Sequence, residues 1–186
     1  ADGYMLPALE VVPEIVDVEI APKEGELFAA DLGGVGGRAQ VRRHTLDDRV
    51  RRTAELVHAE PDEPWVIWCG LNDEADALAD AIPGAVNVMG NWGPDEKAAA
   101  FLDFADGKIL YLVTKPSIAA YGLNWQNCAR VAFTGLGDSY EKYYQATRRC
   151  WRYGQRRPVR VHVVLSHLER QIASNVARKQ HQASRL

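Results

Sequence analysis

Three arginines and a glutamine crowd one short segment, Gln145-Ala-Thr-Arg-Arg-Cys-Trp-Arg152. If it is helical, at about 100° per residue, Gln145, Arg149 and Arg152 align on one stripe. Tyr143, Ala146, Thr147 and Cys150 then turn to the opposite, core-facing side. Two guanidiniums and an amide on one face form a surface that reads anions. Arginine suits this because its planar fork grips phosphate through two hydrogen bonds and keeps its charge. On spacing alone, a solvated basic helix face is the plain alternative.

The elements that must hold this stripe follow from hydrophobic period and punctuation. Val16, Val18 and Ile20 alternate with acids, the pattern of a half-buried strand. Five glycines between positions 25 and 37 predict a flexible loop. Thr45 with Asp48 has the form of a capping box, and Leu46, Val50, Ala54 and Val57 share one helical face. Thereafter strands are expected at 65–69, 85–89, 109–113, 131–134 and 159–165. Helices are expected from Asn72 to about 82, from Pro94 to about 104, and from Ser139 to about 151. Ser166 with Glu169 makes a second capping box before a last helix. Strands alternating with helices predict an α/β, three-layer, mostly parallel sheet with helices on both faces. Such sheets bind ligands at the carboxyl ends of their strands. The expected organisation is a lead-in over 1–44, a domain over 45–175 and a frayed tail over 176–186.

Composition narrows the function. The chain has 186 residues, 47% apolar and 25% charged, with net charge −3, so no global positive field marks it as a nucleic-acid binder. Basic residues gather at 42–52, where a run such as Arg51–Arg52 reads as a solvated helix face, and more densely at 148–160, the cluster to pursue. Cys69, Cys128 and Cys150 lie far apart with no CxxC, which predicts reduced, buried thiols and no zinc. No apolar run approaches the ~20 residues that span a bilayer. No secretory signal is visible, and a cytoplasmic location is expected. The opening Ala-Asp-Gly has no initiator Met, which suggests a processed or excised piece.

Extended to Gly154 and Gln155, the arginine segment resembles the sixth motif of superfamily-two helicases, a glutamine followed by two arginines three apart. The trailing Gly-Gln is similar to the Swi/Snf form. The resemblance implies a C-terminal RecA-like lobe whose arginines cross a cleft to the phosphates of ATP. Arg149 and Arg152 would be catalytic, with Arg152 the finger that stabilises charge on the transferring phosphoryl group. Arg148 departs from the pattern, since many relatives carry Gly or Asp there. Ala119-Ala120-Tyr121-Gly122-Leu123-Asn124 resembles the fifth motif, although Swi/Snf relatives favour Gly-Gly at its head. It implies that Gly122 provides a tight backbone turn and that Asn124 bonds ribose or a phosphate-bound water, with Gln145 on the cofactor side. The preceding Thr114-Lys115-Pro116-Ser117 implies a nucleic-acid phosphate contact from Thr114 or Ser117, with Lys115 adding charge. Val66 to Glu74 resembles the fourth motif, which places Asn72 at a helix N-terminus facing a backbone phosphate. Asp73 and Glu74 complement the helix dipole there. A looser likeness is to phage and prophage helicases.

No GxxxxGK[ST] loop and no strand-end Asp-Glu pair occur. The resemblance therefore implies that ATP and its Mg2+ are bound mainly by an N-terminal RecA-like lobe of the same protein, with no metal held by this chain. DNA would be gripped through its backbone, independently of sequence. The alternatives are a stand-alone nucleic-acid-binding or regulatory module without ATPase activity, or an unrelated doubly wound enzyme. The last would need a glycine-rich turn behind an apolar strand, which the Gly33–Gly37 stretch lacks.

Overall fold

The computed structural model describes residues 5–18, 41–119, 123–137, 139–170 and Arg178. In chain order the elements are β1 (Leu9–Val16), α1 (Leu46–Ala59), β2 (Trp65–Cys69), α2 (Asn72–Ala81) and β3 (Ala85–Asn87). There follow α3 (Pro94–Ala105), β4 (Tyr111–Thr114), β5 (Arg130–Thr134), α4 (Tyr140–Thr147), β6 (Val159–Ser166) and a 3-10 turn over His167–Glu169. The glycine-rich lead-in, Gly122 and the tail beyond Arg178 lie outside the described residues.

β2 explains the layering. Its five residues carry no charge and are all buried, as a strand covered on both faces requires. Val66 and Trp68 point into one core with Phe101 and Phe104 of α3 and Tyr143 and Ala146 of α4. Trp65, Ile67 and Cys69 point into another with Val50, Ala54 and Val57 of α1 and Leu78 of α2. Each large apolar side chain so buried contributes roughly 1.5–3 kcal/mol. Among the described residues six strands pair in parallel in the order β1-β6-β5-β2-β4-β3, and their carboxyl ends emerge on one edge. The three-layer α/β architecture is as expected.

Four local expectations are corrected. The first described strand is Leu9–Val16, which ends where the strand expected from Val16 was to begin; Asp17 and Val18 are not in a strand, and Ile20 lies outside the described residues. Pro13 is tolerated because, among the described residues, β1 is an edge strand that pairs only with β6. Thr45 makes no cap. Residues 41–44 are already helical, and the Thr45 hydroxyl donates to the Val41 carbonyl at 2.9 Å. The cap of α2 is Leu71 instead of Asn72, with Glu74 reaching back to the Leu71 amide at 3.1 Å. Finally, α4 stops at Thr147, capped by Ser139, whose hydroxyl accepts from the Lys142 amide at 3.3 Å. The Ser166–Glu169 box is present and opens the 3-10 turn.

Candidate functional site

The loops after β2, β4 and β5 surround a cleft of about 220 Å3 at the strand ends. Its wall includes Lys115 and Ser117 from the β4 loop, Gly70 from the β2 loop, Gly135 from the β5 loop and Lys142 on the first turn of α4. The Lys115 ammonium donates to the Asn72 side-chain oxygen at 2.6 Å, so two of the residues expected at a nucleic-acid phosphate stand together. Ser117 is exposed beside them. Thr114 is not available for such a contact. It is fully buried, and its hydroxyl donates to the Val88 carbonyl at 3.2 Å.

Under the cleft lies a charge cluster that the basic run 42–52 did not announce. Arg49 is fully buried and pairs with Glu74, equally buried, at 2.8 Å. Arg42 pairs with the same carboxylate at 3.2 Å and lines the cleft. Glu74 also accepts the amides of Gly70 at 2.9 Å and Leu71 at 3.1 Å. Arg42 and Arg49 thus differ from Arg51 and Arg52 of the same basic run, which keep the solvated face expected of them. Glu74 does more than complement a dipole: it ties α1 to the loop that follows β2. Its position three residues past a helix start was the one signal available.

The arginine segment continues from α4 as turns, with the Trp151 amide donating to Thr147 at 3.0 Å and the Gln155 amide to Arg152 at 3.0 Å. Tyr143, Ala146, Thr147 and Cys150 are buried as expected, Gln145 is exposed, and Arg149 and Arg152 are half-buried. Arg152 owes its place to these turns and not to a helical stripe. Arg148 lies over the Trp151 ring at 5.4 Å. Arg149 and Arg152 form no ion pair with a carboxylate among the described residues. Burial, reinforced by the neighbouring Arg152 charge, pulls the Arg149 pKa down from its ordinary value, a strain that a bound anion would relieve.

The loop carrying Asn124 is stitched to this turn. The Trp125 amide donates to the Arg149 carbonyl at 2.8 Å, and the Gln126 side chain to the Tyr153 carbonyl at 2.8 Å. Gln155, buried, donates to the carbonyls of Cys128 at 2.9 Å and Cys150 at 3.3 Å. Gly154 has φ +90, and a Cβ there would stand 2.8 Å from the Gln126 amide nitrogen. The Gly-Gln ending thus has a structural cause: one residue makes the turn and the next clamps it. Asn124 is exposed at this junction, and Gly122 lies outside the described residues.

Among the described residues, no group of three His, Cys, Asp or Glu could hold a metal ion. Nor is any described helix long and apolar enough to cross a membrane. Residues 48–154 match the family model of the helicase conserved C-terminal domain. The fold is similar to the C-terminal part of the Fun30 ATPase domain (TM-score 0.59, 16% identity), covering 68% of this chain and 43% of that one. It is similar to the yeast DEAD-box splicing factor Prp28 (TM-score 0.64, 15% identity), covering 94% and 34%. The C-terminal domain of the DEAD-box protein Dbp5 matches at TM-score 0.67 and 14% identity, covering 92% and 84%. At these identities the likeness is one of fold. The chain spans less than half of the Fun30 and Prp28 chains it matches. Among curated proteins no sequence match was found.

Proposed function

Because the chain belongs to the helicase conserved C-terminal domain family, we propose that it is the second lobe of an ATP-dependent, Swi/Snf-like DNA helicase or translocase. The observation that carries this reading is the arginine turn. Two half-buried guanidiniums without a carboxylate partner among the described residues are held on a frame stitched to the Asn124 loop. Unpaired, partly desolvated cations fit a polyphosphate. ATP with Mg2+, bound mainly by the N-terminal RecA-like lobe, supplies the transferable phosphoryl group. Arg152 meets the charge that spreads over that group, Arg149 neutralises its neighbour, and Gln145 and Asn124 orient the nucleotide. The strand-end cleft, with Lys115, Ser117 and Asn72, holds the DNA backbone. α4 joins the two places, since its eight residues run from the cleft to the arginine turn, roughly 12 Å at 1.5 Å per residue.

The test is Arg152→Lys in the protein carrying both lobes. Lysine keeps the charge and loses the fork, so DNA-stimulated ATP turnover should fall ~10³-fold or more while the melting temperature stays put. Arg149→Lys should fail similarly. Near-normal turnover in both variants would remove the finger assignment. The isolated chain should hydrolyse no ATP. Tight DNA binding by this chain, with no first lobe encoded in the same gene, would favour the stand-alone binding module.

A further inference from the structure

We propose that Arg42 is a phosphate-binding residue of the strand-end cleft, held by Glu74 against the β2 and β5 loops and presented to the backbone of the bound strand. The inference rests on the reading of that cleft as a nucleic-acid site. Arg42 precedes the span 48–154 described by the family model, so no motif assigns it.

The first ground is charge. Arg42 and Arg49 share one carboxylate, leaving the buried cluster with a surplus positive charge. Glu74 is saturated, since its two oxygens already serve two guanidiniums and two amides. The Nε of Arg42 is buried with no hydrogen-bond partner among the described residues, and the bonds of its guanidinium to Glu74 run from Nη2. The second ground is placement. A Cβ at Gly70 would stand 2.6 Å from Arg42 Nη2, and one at Gly135 would stand 2.9 Å from it. The guanidinium therefore packs against both loops where they open into the cleft. The third ground is the wall. Lys115 and Lys142 line the same space, and no described lining residue is acidic. Trp68 also lines it, is 1% exposed, and has no partner among the described residues for its indole N–H. Cys69, also lining the cleft, adds no negative charge: burial first, then Glu74, pushes its thiol up to about 12.

The experiment is a salt titration of fluorescein-labelled single-stranded DNA binding to the 186-residue chain, wild type against Arg42→Gln and Arg42→Lys. One lost phosphate contact should weaken binding by Arg42→Gln roughly tenfold at low salt. It should also reduce the slope of log affinity against log salt by about 0.7. Arg42→Lys keeps the charge against Glu74, so it should fold and keep the slope, yet lose several-fold in affinity for want of a fork. A purely structural Arg42 would lower the melting temperature and leave both slope and Arg42→Lys affinity at wild-type values, which overturns the proposal. A second arm follows the amide resonances of Gly70 and Gly135 during pyrophosphate titration. Wild-type shifts lost in Arg42→Gln, with no DNA binding by wild type, would keep Arg42 as a ligand for free phosphate and sink the DNA reading. No shifts and no DNA binding by wild type would sink both.

Discussion

Replacing Glu74 by Gln removes one charge and little else, and the structure sets what that should cost. The carboxylate holds Arg49 at 2.8 Å and Arg42 at 3.2 Å, with Arg49 and Glu74 both at zero exposure. Glutamine has a single acceptor oxygen. It can keep the Gly70 and Leu71 amides, 2.9 and 3.1 Å away, but its NH2 then faces two guanidiniums, donors against donors. Breaking a buried pair by removing one partner costs about 3–5 kcal/mol, because the remaining charge cannot return to water. For a chain of this length that is roughly 6–20 °C of melting temperature. Calorimetry or thermal circular dichroism at low and high salt reads it. The loss should persist in high salt, since buried pairs are screened little. The exposed pair Arg51–Asp48, 3.0 Å apart, is the control, and Arg51→Ala should cost under about 1 kcal/mol. A Glu74→Gln loss no larger than that control would refute the reasoning.

Gly135 has φ +84, and a Cβ there would sit 2.8 Å from Arg49 Nη1, so Gly135→Ala should destabilise by the about 1–2 kcal/mol of left-handed strain plus displacement of the buried arginine. A urea midpoint equal to wild type would contradict this. Burial pulls the His162 pKa below its ordinary 6.5, outweighing the opposite pull of Glu14, whose carboxylate is 3.1 Å away. The folded state therefore binds its proton more weakly than the unfolded state. The contribution to stability is complete above pH 6.5 and is lost as pH falls through the lower folded value. His162→Gln should flatten the melting-temperature profile in that acidic window, and an unchanged slope would remove histidine from the account.

Much of the fold was legible because its signals are local. Trp65–Cys69 announces a strand by an unbroken apolar run, Pro94 a helix start, and Ser139 and Ser166 their turns. β1 was missed because Pro13 interrupts its pattern, and only the pairing with β6, far off in sequence, shows why its missing N–H is tolerated. The core side of α4 was legible from its period. The path of Arg152 was not, because the turns after Thr147 depend on bonds to a loop some two dozen residues earlier. Thr114 and Ser117 look alike as hydroxyl residues in sequence, but Thr114 ends β4 in a buried bond to Val88 while Ser117, three residues on in the loop, stands on the exposed cleft wall. Arg42 and Arg49 are not distinguishable in sequence from their solvated neighbours Arg51 and Arg52, because charge spacing on a helix carries no record of the carboxylate that meets them in space.

The register of β1 also constrains the order of events during synthesis. Leu9 pairs with Val159, 150 residues downstream, and among the described residues the whole strand runs beside β6 alone. Until the end of the sheet has left the ribosome, Leu9–Val16 has no native partner, while its apolar side chains already seek one. Long-range parallel pairing is slow to form and exposed to wrong encounters. Pro13, midway along the waiting segment, breaks the row of donors that another copy's strand would need. The residue that hid this strand from a pattern reading is thus the one that protects the nascent chain until β6 arrives.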